Sequence, residues 1–265
     1  MNNFGYRRAM TQEDPTTSFG FSQIPASQKA ARVRDVFDRV ASRYDIMNDV
    51  MSGGLHRVWK QHMIRRLPLH HISRPLTMID MAGGTGDISF RALNTRAGRA
   101  GQLNVQLMDI NHEMLCVGQQ RATALGHSID VIEASAEHIP CADQSVDIFT
   151  IAFGIRNVTD RAQALREAYR VLRPGGIFAC LEFSHIPNDM LGGLYDQYSF
   201  SLIPPIGRMI TGSAAPYQYL VESIRMFPTA EAFTSEIETA GFSRVRAERL
   251  SAGIVALHLG WRIAP

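Results

Sequence analysis

From Leu76 onwards, the sequence alternates between short β-rich stretches and longer stretches with helical periodicity. Such alternation is typical of βαβ units, in which helices join parallel strands and cover the sheet. The strand candidates are residues 76–82, 103–109, 129–134, 146–152 and 176–183, followed by a late pair near 244–250 and 253–261. The chain is therefore predicted to fold as an α/β protein around a mostly parallel sheet.

The residues before this alternation predict an arm and a helix. Residues 1–28 mix charged residues with Pro, Ser and Thr and show no periodicity, so we expect a flexible N-terminal arm. After Arg32 an apolar stripe at helical spacing predicts a helix. Its members are Val33, Val36, Phe37, Val40, Ala41 and Tyr44.

A second helix is predicted from about Leu55 to Leu67, after a Ser-Gly-Gly turn. Its charged residues are all basic, namely Arg57, Lys60, Arg65 and Arg66. Such a cluster fits an ordinary solvated face or, more specifically, contact with anionic lipid headgroups.

The domain organisation follows from length and from one interruption. A chain of 265 residues is enough for one large α/β domain, which we place at 29–265, with 29–70 as a helical cap. Residues 184–228 interrupt the alternation and hold four of the seven tyrosines, Tyr195, Tyr198, Tyr217 and Tyr219. So long an insertion in a compact domain is usually functional, which predicts a substrate-binding wall or lid.

Composition excludes several classes of function. Lys and Arg number 27 against 25 Asp and Glu, whereas a nucleic-acid-binding protein usually has a strongly basic face. The three cysteines form no C-x-x-C pair and the nine histidines have no metal-ligand spacing, so we expect neither disulfides nor a metal site. No apolar run reaches membrane-spanning length and no signal peptide is visible, which predicts a cytoplasmic protein.

The most informative motif is the turn Asp80-Met-Ala-Gly-Gly-Thr-Gly-Asp87, at the end of the first strand of the alternation. Gly84 and Gly86 allow a sharp turn and let a ligand approach the backbone closely. A dinucleotide fingerprint would need a third glycine where this chain has Ser89, and Asp87 would repel a pyrophosphate. A phosphate-free cation, S-adenosylmethionine, suits the carboxylates of Asp80 and Asp87 better. A structural turn without a ligand is the alternative.

The next two strands add candidate nucleotide contacts. Asp109 closes the second strand, where a carboxylate can accept hydrogen bonds from two ribose hydroxyls. Ser135 and Ala136 follow the third strand, and such small residues leave room for an adenine, because ligands bind outside the carboxyl ends of parallel strands. A plain loop explains this pair equally well.

The fourth strand ends in Phe153-Gly-Ile-Arg-Asn157. An Arg156-Asn157 pair is suited to hold an oxygen anion, because a guanidinium donates a fixed fork of hydrogen bonds and stays charged. The alternative is a surface arginine that pairs with a neighbouring carboxylate.

These motifs together resemble the ubiquinone/menaquinone biosynthesis C-methyltransferases, which methylate a ring carbon of a polyprenylated benzoquinol. The resemblance runs from about Phe19 to the C-terminus. Besides the glycine-rich turn, it rests on Phe19-Gly-Phe21, Tyr44-Asp-Ile-Met-Asn48, Asp109-Ile-Asn111, Phe153-Gly-Ile-Arg-Asn-Val-Thr-Asp160, Tyr169-Arg-Val-Leu-Arg-Pro-Gly-Gly176, Leu181-Glu-Phe-Ser184, Tyr219-Leu-Val-Glu-Ser-Ile-Arg225 and Ala252-Gly-Ile-Val-Ala256.

The resemblance implies a class I S-adenosylmethionine-dependent methyltransferase fold, with a seven-stranded, mostly parallel sheet and helices on both faces. It also implies an insertion after the fifth strand and S-adenosylmethionine as the cofactor. The expected cofactor-binding residues are Asp80, Gly84, Thr85, Gly86, Asp109, Ser135, Ala136 and Ala152. At Ala152 the family often has Ser, so that contact can come only from the backbone.

For the substrate, the resemblance implies a polyprenyl quinol enclosed by the insertion and the N-terminal helices. Arg156 and Asn157 are then candidates to stabilise the developing phenolate, with Tyr44 and Asp45 in the substrate wall. The apolar tail predicts peripheral contact with the inner membrane of a bacterium. A homodimer, contacts with other quinone-biosynthesis enzymes and the choice between benzoquinol and naphthoquinol are left open, while no nucleic-acid partner is expected.

One segment departs from the family pattern. At Thr211–Tyr217 the chain has Thr-Gly-Ser-Ala-Ala-Pro-Tyr, where the family usually has Asn-Asp-x-x-Ser before the tyrosine. This departure keeps open a non-catalytic scaffold subunit that retains the methylase fold. A methylase of another small hydrophobic acceptor also stays open, because the glycine-rich turn and Asp109 fit it equally well.

Overall fold

The computed structural model describes residues 14–38, 49, 52–69, 74–187, 197, 201, 205, 208 and 215–263. The strands are β1 (Thr16–Phe19), β2 (Ser22–Pro25), β3 (Leu76–Met81), β4 (Leu103–Asp109), β5 (Asp130–Glu133), β6 (Val146–Ala152), β7 (Leu172–Phe183), β8 (Ser243–Leu250) and β9 (Val255–Trp261). The helices are α1 (Ala26–Asp38), α2 (His56–Arg66), α3 (Asp87–Leu93), α4 (Arg96–Arg99), α5 (His112–Leu125), α6 (Arg161–Val171), α7 (Ala215–Met226) and α8 (Ala230–Thr239), with a 3₁₀ turn at Ile155–Asn157.

The main sheet has seven strands in the order β5-β4-β3-β6-β7-β9-β8. Neighbouring strands from β5 to β7 are parallel, and β9 is antiparallel to both β7 and β8. The strand order reverses between β3 and β6, and in sheets of this kind ligands bind in the crevice outside the carboxyl ends at that point. The predicted seven-stranded class I fold is confirmed.

The sheet is covered on both faces because its strands alternate large apolar residues. Met78 of β3 and Ile148 of β6 point into one apolar cluster, which α2, α3 and α7 complete. Ile79 and Phe149 point into the other, which α6 and α8 complete. Residues buried on both sides of a strand are typical of parallel sheets, so the hydrophobic runs identified from the sequence are explained by this layering.

One predicted boundary is wrong at the start of β7. The sequence predicts a strand that begins at residue 176, but in the structure the strand follows helix α6 directly and begins at Leu172. Leu172 already pairs with Val146 of β6, and the register shifts between Val146 and Ile148. Pro174, Gly175 and Gly176 lie in this irregular part of the strand, where sheets tolerate proline and glycine.

The flexible arm predicted over residues 1–28 is corrected from Thr16 onwards. β1 and β2 form an antiparallel hairpin, and helix α1 begins immediately after it. Phe19 stacks on Tyr219 of α7 with ring centroids 4.3 Å apart, and the Phe21 N–H donates to Glu222 Oε2 at 3.1 Å. At Gly20 a Cβ atom would lie 2.2 Å from Glu222 Oε2, so only glycine permits this approach. Tertiary contacts with α7 therefore order a segment without periodicity of its own.

Several predictions concern residues outside the described ranges. These are the catalytic candidates Tyr44 and Asp45, the tyrosines Tyr195 and Tyr198, and residues 211–214 of the segment that departs from the family pattern. The last part of the predicted insertion is helix α7, which begins at Ala215 and buries Tyr217 completely.

At the amino ends of the central strands, the buried carboxylate of Asp147 joins three segments. It accepts hydrogen bonds from the Thr77 N–H at 2.9 Å, from Arg74 at 2.5 Å and from Arg173 at 2.9 Å. Burial raises the pKa of Asp147, but these hydrogen bonds outweigh burial and hold the pKa below its usual value.

We expect Asp147→Asn to lower the free energy of unfolding by about 1–3 kcal/mol at neutral pH, because charge-assisted hydrogen bonds are lost. A carboxylate with a lowered pKa stabilises the fold above its unfolded pKa, and this stabilisation is lost as the pH falls through the folded value. Denaturant unfolding of both proteins should therefore show a difference that shrinks in acid. Asp143→Asn, at an exposed carboxylate that pairs with Arg170, serves as the control and should change little. Equal effects of the two variants would contradict this role of Asp147.

Candidate active site

A cavity of about 130 Å³ lies at the carboxyl edge of the sheet, where the strand order reverses. Helix α1 forms its outer wall, and the segments after four strands form the rest. The lining residues used below are Val33 and Phe37 of α1, Ala82 and Gly84 after β3, Asp109 of β4, Ser135 and Ala136 after β5, and Phe153, Gly154 and Asn157 after β6. The site predicted from strand ends is thus a real cavity.

Strained backbone shapes the floor of this cavity. Ala82 and Phe153 follow adjacent strands, and both have positive φ, 50° and 58°. Non-glycine residues in this region cost about 1–3 kcal/mol each and persist only where the surroundings enforce them. Gly154, which follows Phe153, packs closely on Ala82, since a Cβ atom at 154 would be 2.4 Å from the Ala82 Cβ. The two strand ends therefore meet more closely than any larger residue at 154 would allow.

Asp109 reaches the cavity from the end of β4, as predicted. Its Oδ2 accepts from the Gly84 N–H at 2.9 Å, and its Oδ1 accepts from the Asn111 N–H at 2.8 Å. Burial raises the pKa of Asp109 to about 6, although backbone hydrogen bonds oppose the shift. Each carboxylate oxygen has a second lone pair, so Asp109 can accept hydrogen bonds from two adjacent ligand hydroxyls.

Asp80 and Asp87 do not line this cavity. Asp80 is fully buried beneath the turn and accepts from the Ser89 N–H at 2.9 Å and the Ser89 hydroxyl at 2.7 Å, with the Thr150 hydroxyl at 3.2 Å. Burial raises the pKa of Asp80 to about 6. Asp87 pairs with Lys60 and with Arg91, both at 2.9 Å. In the structure both carboxylates fasten the turn to neighbouring residues, and their attraction for a cofactor cation stays a prediction.

The other predicted cofactor residues divide into two groups. Ser135 and Ala136 line the cavity, and the Ser135 hydroxyl accepts from the Glu137 N–H at 3.2 Å. Thr85 and Gly86 form the turn below: the Thr85 hydroxyl accepts from Arg121 at 2.8 Å, and Gly86, at φ 83°, precedes α3. Ala152 ends β6 one residue before the cavity wall.

Arg156 is buried and paired with a carboxylate that we did not predict as a site residue. Its Nη1 donates to Glu182 Oε1 at 2.7 Å and to the Phe153 carbonyl at 2.5 Å. Both side chains are almost fully buried, and burial raises the pKa of Glu182. The alternative prediction, an arginine that pairs with a carboxylate at the surface, is thus right about the carboxylate partner and wrong about the surface position. Glu182 could have been found from its place at the end of an apolar strand.

Asn157, by contrast, lines the cavity directly. Its Oδ1 accepts a hydrogen bond from the hydroxyl of Tyr219 on α7 at 3.0 Å. The sequence places Tyr219 in a tyrosine-rich insertion and in a segment shared with the family, but nothing in the local sequence indicates a partner so distant along the chain. The two residues of the predicted Arg156-Asn157 pair thus point to different places: the Asn157 side chain lines this cavity, whereas Arg156 does not.

A second, smaller cavity of about 30 Å³ lies behind the first, lined by Lys29, Arg156, Arg161 and Tyr219, among others. This volume is enough for a water molecule. Lys29, which the sequence did not single out, is buried and donates to the Val158 carbonyl at 3.1 Å. Burial and the neighbouring Arg161 lower the pKa of Lys29.

We expect the affinity for S-adenosylmethionine to fall as the pH drops below about 6, because a protonated Asp109 loses an acceptor for the ribose hydroxyls. Calorimetric titrations between pH 8 and pH 5 measure this. Asp109→Asn should weaken binding and remove most of the pH dependence in that range. Asp130→Asn, at an exposed carboxylate of β5, is the control and should keep the dependence. A pH-independent affinity in the unmodified protein would contradict the role of Asp109.

The sequence and the structure were compared with known proteins. Residues 26–262 match the model of the ubiE/COQ5 methyltransferase family. The ubiquinone/menaquinone biosynthesis C-methyltransferase UbiE of Bradyrhizobium diazoefficiens is 55% identical over 256 residues, which cover 96% of this chain and 100% of that protein. UbiE of Methylobacterium nodulans is 51% identical with the same coverage.

Solved structures agree on the fold. A SAM-dependent methyltransferase from Aquifex aeolicus superposes with a TM-score of 0.55 at 16% identity, covering 77% of this chain and 89% of that one. The Haemonchus contortus phosphoethanolamine N-methyltransferase 2, solved with phosphomonomethylethanolamine and S-adenosylhomocysteine, gives a TM-score of 0.62 at 13% identity and covers 88% and 60%. The resemblance found in the sequence is confirmed. The chain belongs to the ubiE/COQ5 methyltransferase family.

Proposed function

We propose that this protein transfers the methyl group of S-adenosylmethionine to a ring carbon of a polyprenylated benzoquinol, and that it also accepts demethylmenaquinol. As a member of its family, it is an S-adenosylmethionine-dependent C-methyltransferase of ubiquinone and menaquinone biosynthesis. The proposal concerns the acceptor and the residues that act on it. One observation carries it: a single cavity joins a carboxylate suited to ribose, Asp109, to a neutral amide, Asn157, across an apolar wall.

The cofactor half of the cavity is formed by the segments after β3, β4 and β5. Asp109, fixed by the Gly84 and Asn111 amides, would accept the ribose hydroxyls, and Ser135 with Ala136 would flank the adenine. When bound, S-adenosylmethionine supplies an electrophilic methyl group on a sulfonium centre. The chain orients this group by binding the adenosine at fixed strand ends, and such orientation supplies much of the rate enhancement in bimolecular reactions.

The acceptor half is largely apolar, and its polar lining residues are Asn157, Thr159 and Arg34. Val33 and Phe37 of α1 and Phe153 after β6 present hydrocarbon surface suited to an aromatic ring. A ring carbon is a poor nucleophile unless a ring hydroxyl gives up its proton or donates a strong hydrogen bond. The Asn157 amide can donate to the ring oxygen as negative charge develops there, which stabilises the transition state.

Arg156 lies outside this half of the cavity and binds the Phe153 carbonyl and Glu182. Its charge is compensated by Glu182, so the pair adds no net charge, and a guanidinium does not give up its proton in proteins. Arg156→Ala would leave Glu182 buried without a partner, which costs about 3–5 kcal/mol of stability. Loss of activity in that variant would therefore report on folding as much as on catalysis, and Asn157 is the better residue to test.

We expect purified protein to methylate short-tailed benzoquinol and demethylmenaquinol under reducing conditions, with the product carrying a new carbon-bound methyl group by mass spectrometry and NMR. Asn157→Ala should lower kcat by about 10²-fold, as loss of one oxyanion donor typically does, while the Kd for S-adenosylmethionine stays unchanged. Asn104→Ala, at an exposed asparagine of β4, is the matched control and should keep full activity.

Three results would contradict the proposal. Methylation of oxygen rather than carbon would indicate a different acceptor chemistry. Cofactor binding without turnover of either quinol would favour a different hydrophobic acceptor, and no cofactor binding would favour a scaffold. Dimerisation and contacts with other quinone-biosynthesis enzymes stay predictions.

The apolar tail of the proposed substrate requires access to a membrane surface, and we propose that helix α2 provides it. In the described part of the chain, no helix is long and apolar enough to cross a membrane. Three of the four basic residues of α2 are paired within the protein, Arg57 with Asp49, Lys60 with Asp87, and Arg66 with Glu248. Most of the positive charge of this cluster is therefore neutralised within the protein, which weakens the interpretation that it binds anionic lipid headgroups. Contact would depend mainly on apolar side chains.

Leu55 and Val58, at the start of α2, are large apolar side chains with 42% and 63% of their surface exposed. We expect Leu55→Ser/Val58→Ser to reduce co-sedimentation with anionic vesicles several-fold, because inserted apolar surface drives such binding. Leu125→Ser, at an equally exposed leucine at the end of α5, is the control and should bind normally. Salt should weaken binding only modestly. Unchanged sedimentation of the double variant would exclude α2 as the membrane contact.

A further inference from the structure

Tyr219 holds the cavity amide from outside the cavity. It lies on α7, is 5% exposed, and its hydroxyl is 3.0 Å from Asn157 Oδ1. Burial raises the pKa of Tyr219 to about 12, so the hydroxyl keeps its proton and can donate it in a hydrogen bond. No step proposed so far uses this side chain.

The direction of that hydrogen bond matters for the chemistry. An asparagine side chain has one carbonyl oxygen, which accepts, and one amino group, which donates. The small cavity beside Tyr219 is lined by the cationic donors Lys29, Arg156 and Arg161, so the hydroxyl oxygen turns its lone pairs to them and its proton to Asn157 Oδ1. The amino group is then the end left for the cavity that Asn157 lines. A rotated amide would instead present its oxygen to the ring oxygen, and two acceptors facing each other would repel.

The ring of Tyr219 is itself held in place by the N-terminal hairpin. Phe19 of β1 stacks on it with the ring planes 24° apart, and the Arg32 guanidinium lies 6.0 Å from the centre of the Phe19 ring. Tyr219 also faces the small polar cavity that Arg156 and Lys29 line. The hydroxyl therefore has a fixed position relative to the turn after β6.

We propose that Tyr219 is a positioning residue for methyl transfer: its hydroxyl fixes the Asn157 side chain so that the amino group, and not the carbonyl, meets the ring oxygen of the acceptor. This inference rests on the proposed function. Through Tyr219, helix α7 at the C-terminal end of the insertion would contribute to catalysis without touching the methyl donor or the quinol.

A double-mutant cycle tests this role. Tyr219→Phe removes only the hydroxyl and keeps the stacked ring, so the variant should fold normally. We expect it to lower kcat about three- to tenfold, the effect of one lost neutral hydrogen bond, with unchanged Kd for S-adenosylmethionine and nearly unchanged KM for the quinol. In the Asn157→Ala background the same substitution should have no further effect, since its target is absent. Tyr169→Phe, at a tyrosine of α6 that packs on Phe242, is the control and should leave kcat unchanged.

The outcomes separate this inference from the proposed function. If the unmodified protein methylates quinols but the effects of Tyr219→Phe and Asn157→Ala multiply, Tyr219 acts independently of Asn157 and the positioning role is wrong. A Tyr219→Phe protein with the kcat of the unmodified protein overturns it as well. If the unmodified protein methylates no quinol, the proposed function fails and the inference fails with it.

Discussion

The close approach of β3 and β6 at their carboxyl ends is the constraint on which the site depends. Gly154 and Ala82 lie so near each other that a Cβ atom at 154 would be 2.4 Å from the Ala82 Cβ, and both Ala82 and Phe153 adopt positive φ. Below them, the buried Asp80 accepts hydrogen bonds from the Ser89 backbone and the Thr150 hydroxyl. The strand ends therefore form a narrow floor in which neither side has room for a larger residue at position 154.

The charged groups near this floor are mostly committed to one another. Arg156 pairs with Glu182 and Asp87 pairs with Lys60, so neither pair presents a free charge to a ligand. Asp109 is different, because it faces the cavity while backbone amides hold it. Under the proposed function, Asp109 would bind hydroxyl groups and Asn157 an oxygen anion, at opposite parts of a largely apolar wall.

The sequence predicted the strands and the residues at their ends, because the alternating pattern of strands and helices recurs along the chain. It did not predict residues whose roles depend on contacts with distant segments. Strand ends carry the ligand-facing residues in a parallel sheet, so Asp109, Ser135 and Asn157 could be placed from periodicity alone. Asp80 was selected because a carboxylate suits a cation, but the sequence did not reveal its hydrogen bonds with Ser89 and Thr150, which belong to other elements. Glu182 and Tyr219 were not selected, since their partners become visible only when β7 and α7 pack against the turn after β6.

The N-terminal hairpin has a consequence for how the protein is made. Its contact with α7 joins residues 201 positions apart, from the Phe21 backbone to Glu222. During synthesis the hairpin emerges before α7, so this contact can form only after α7 has left the ribosome, since domains fold as their segments emerge. The nascent chain can thus order the segments after β3, β4 and β5 before the hairpin reaches its final position.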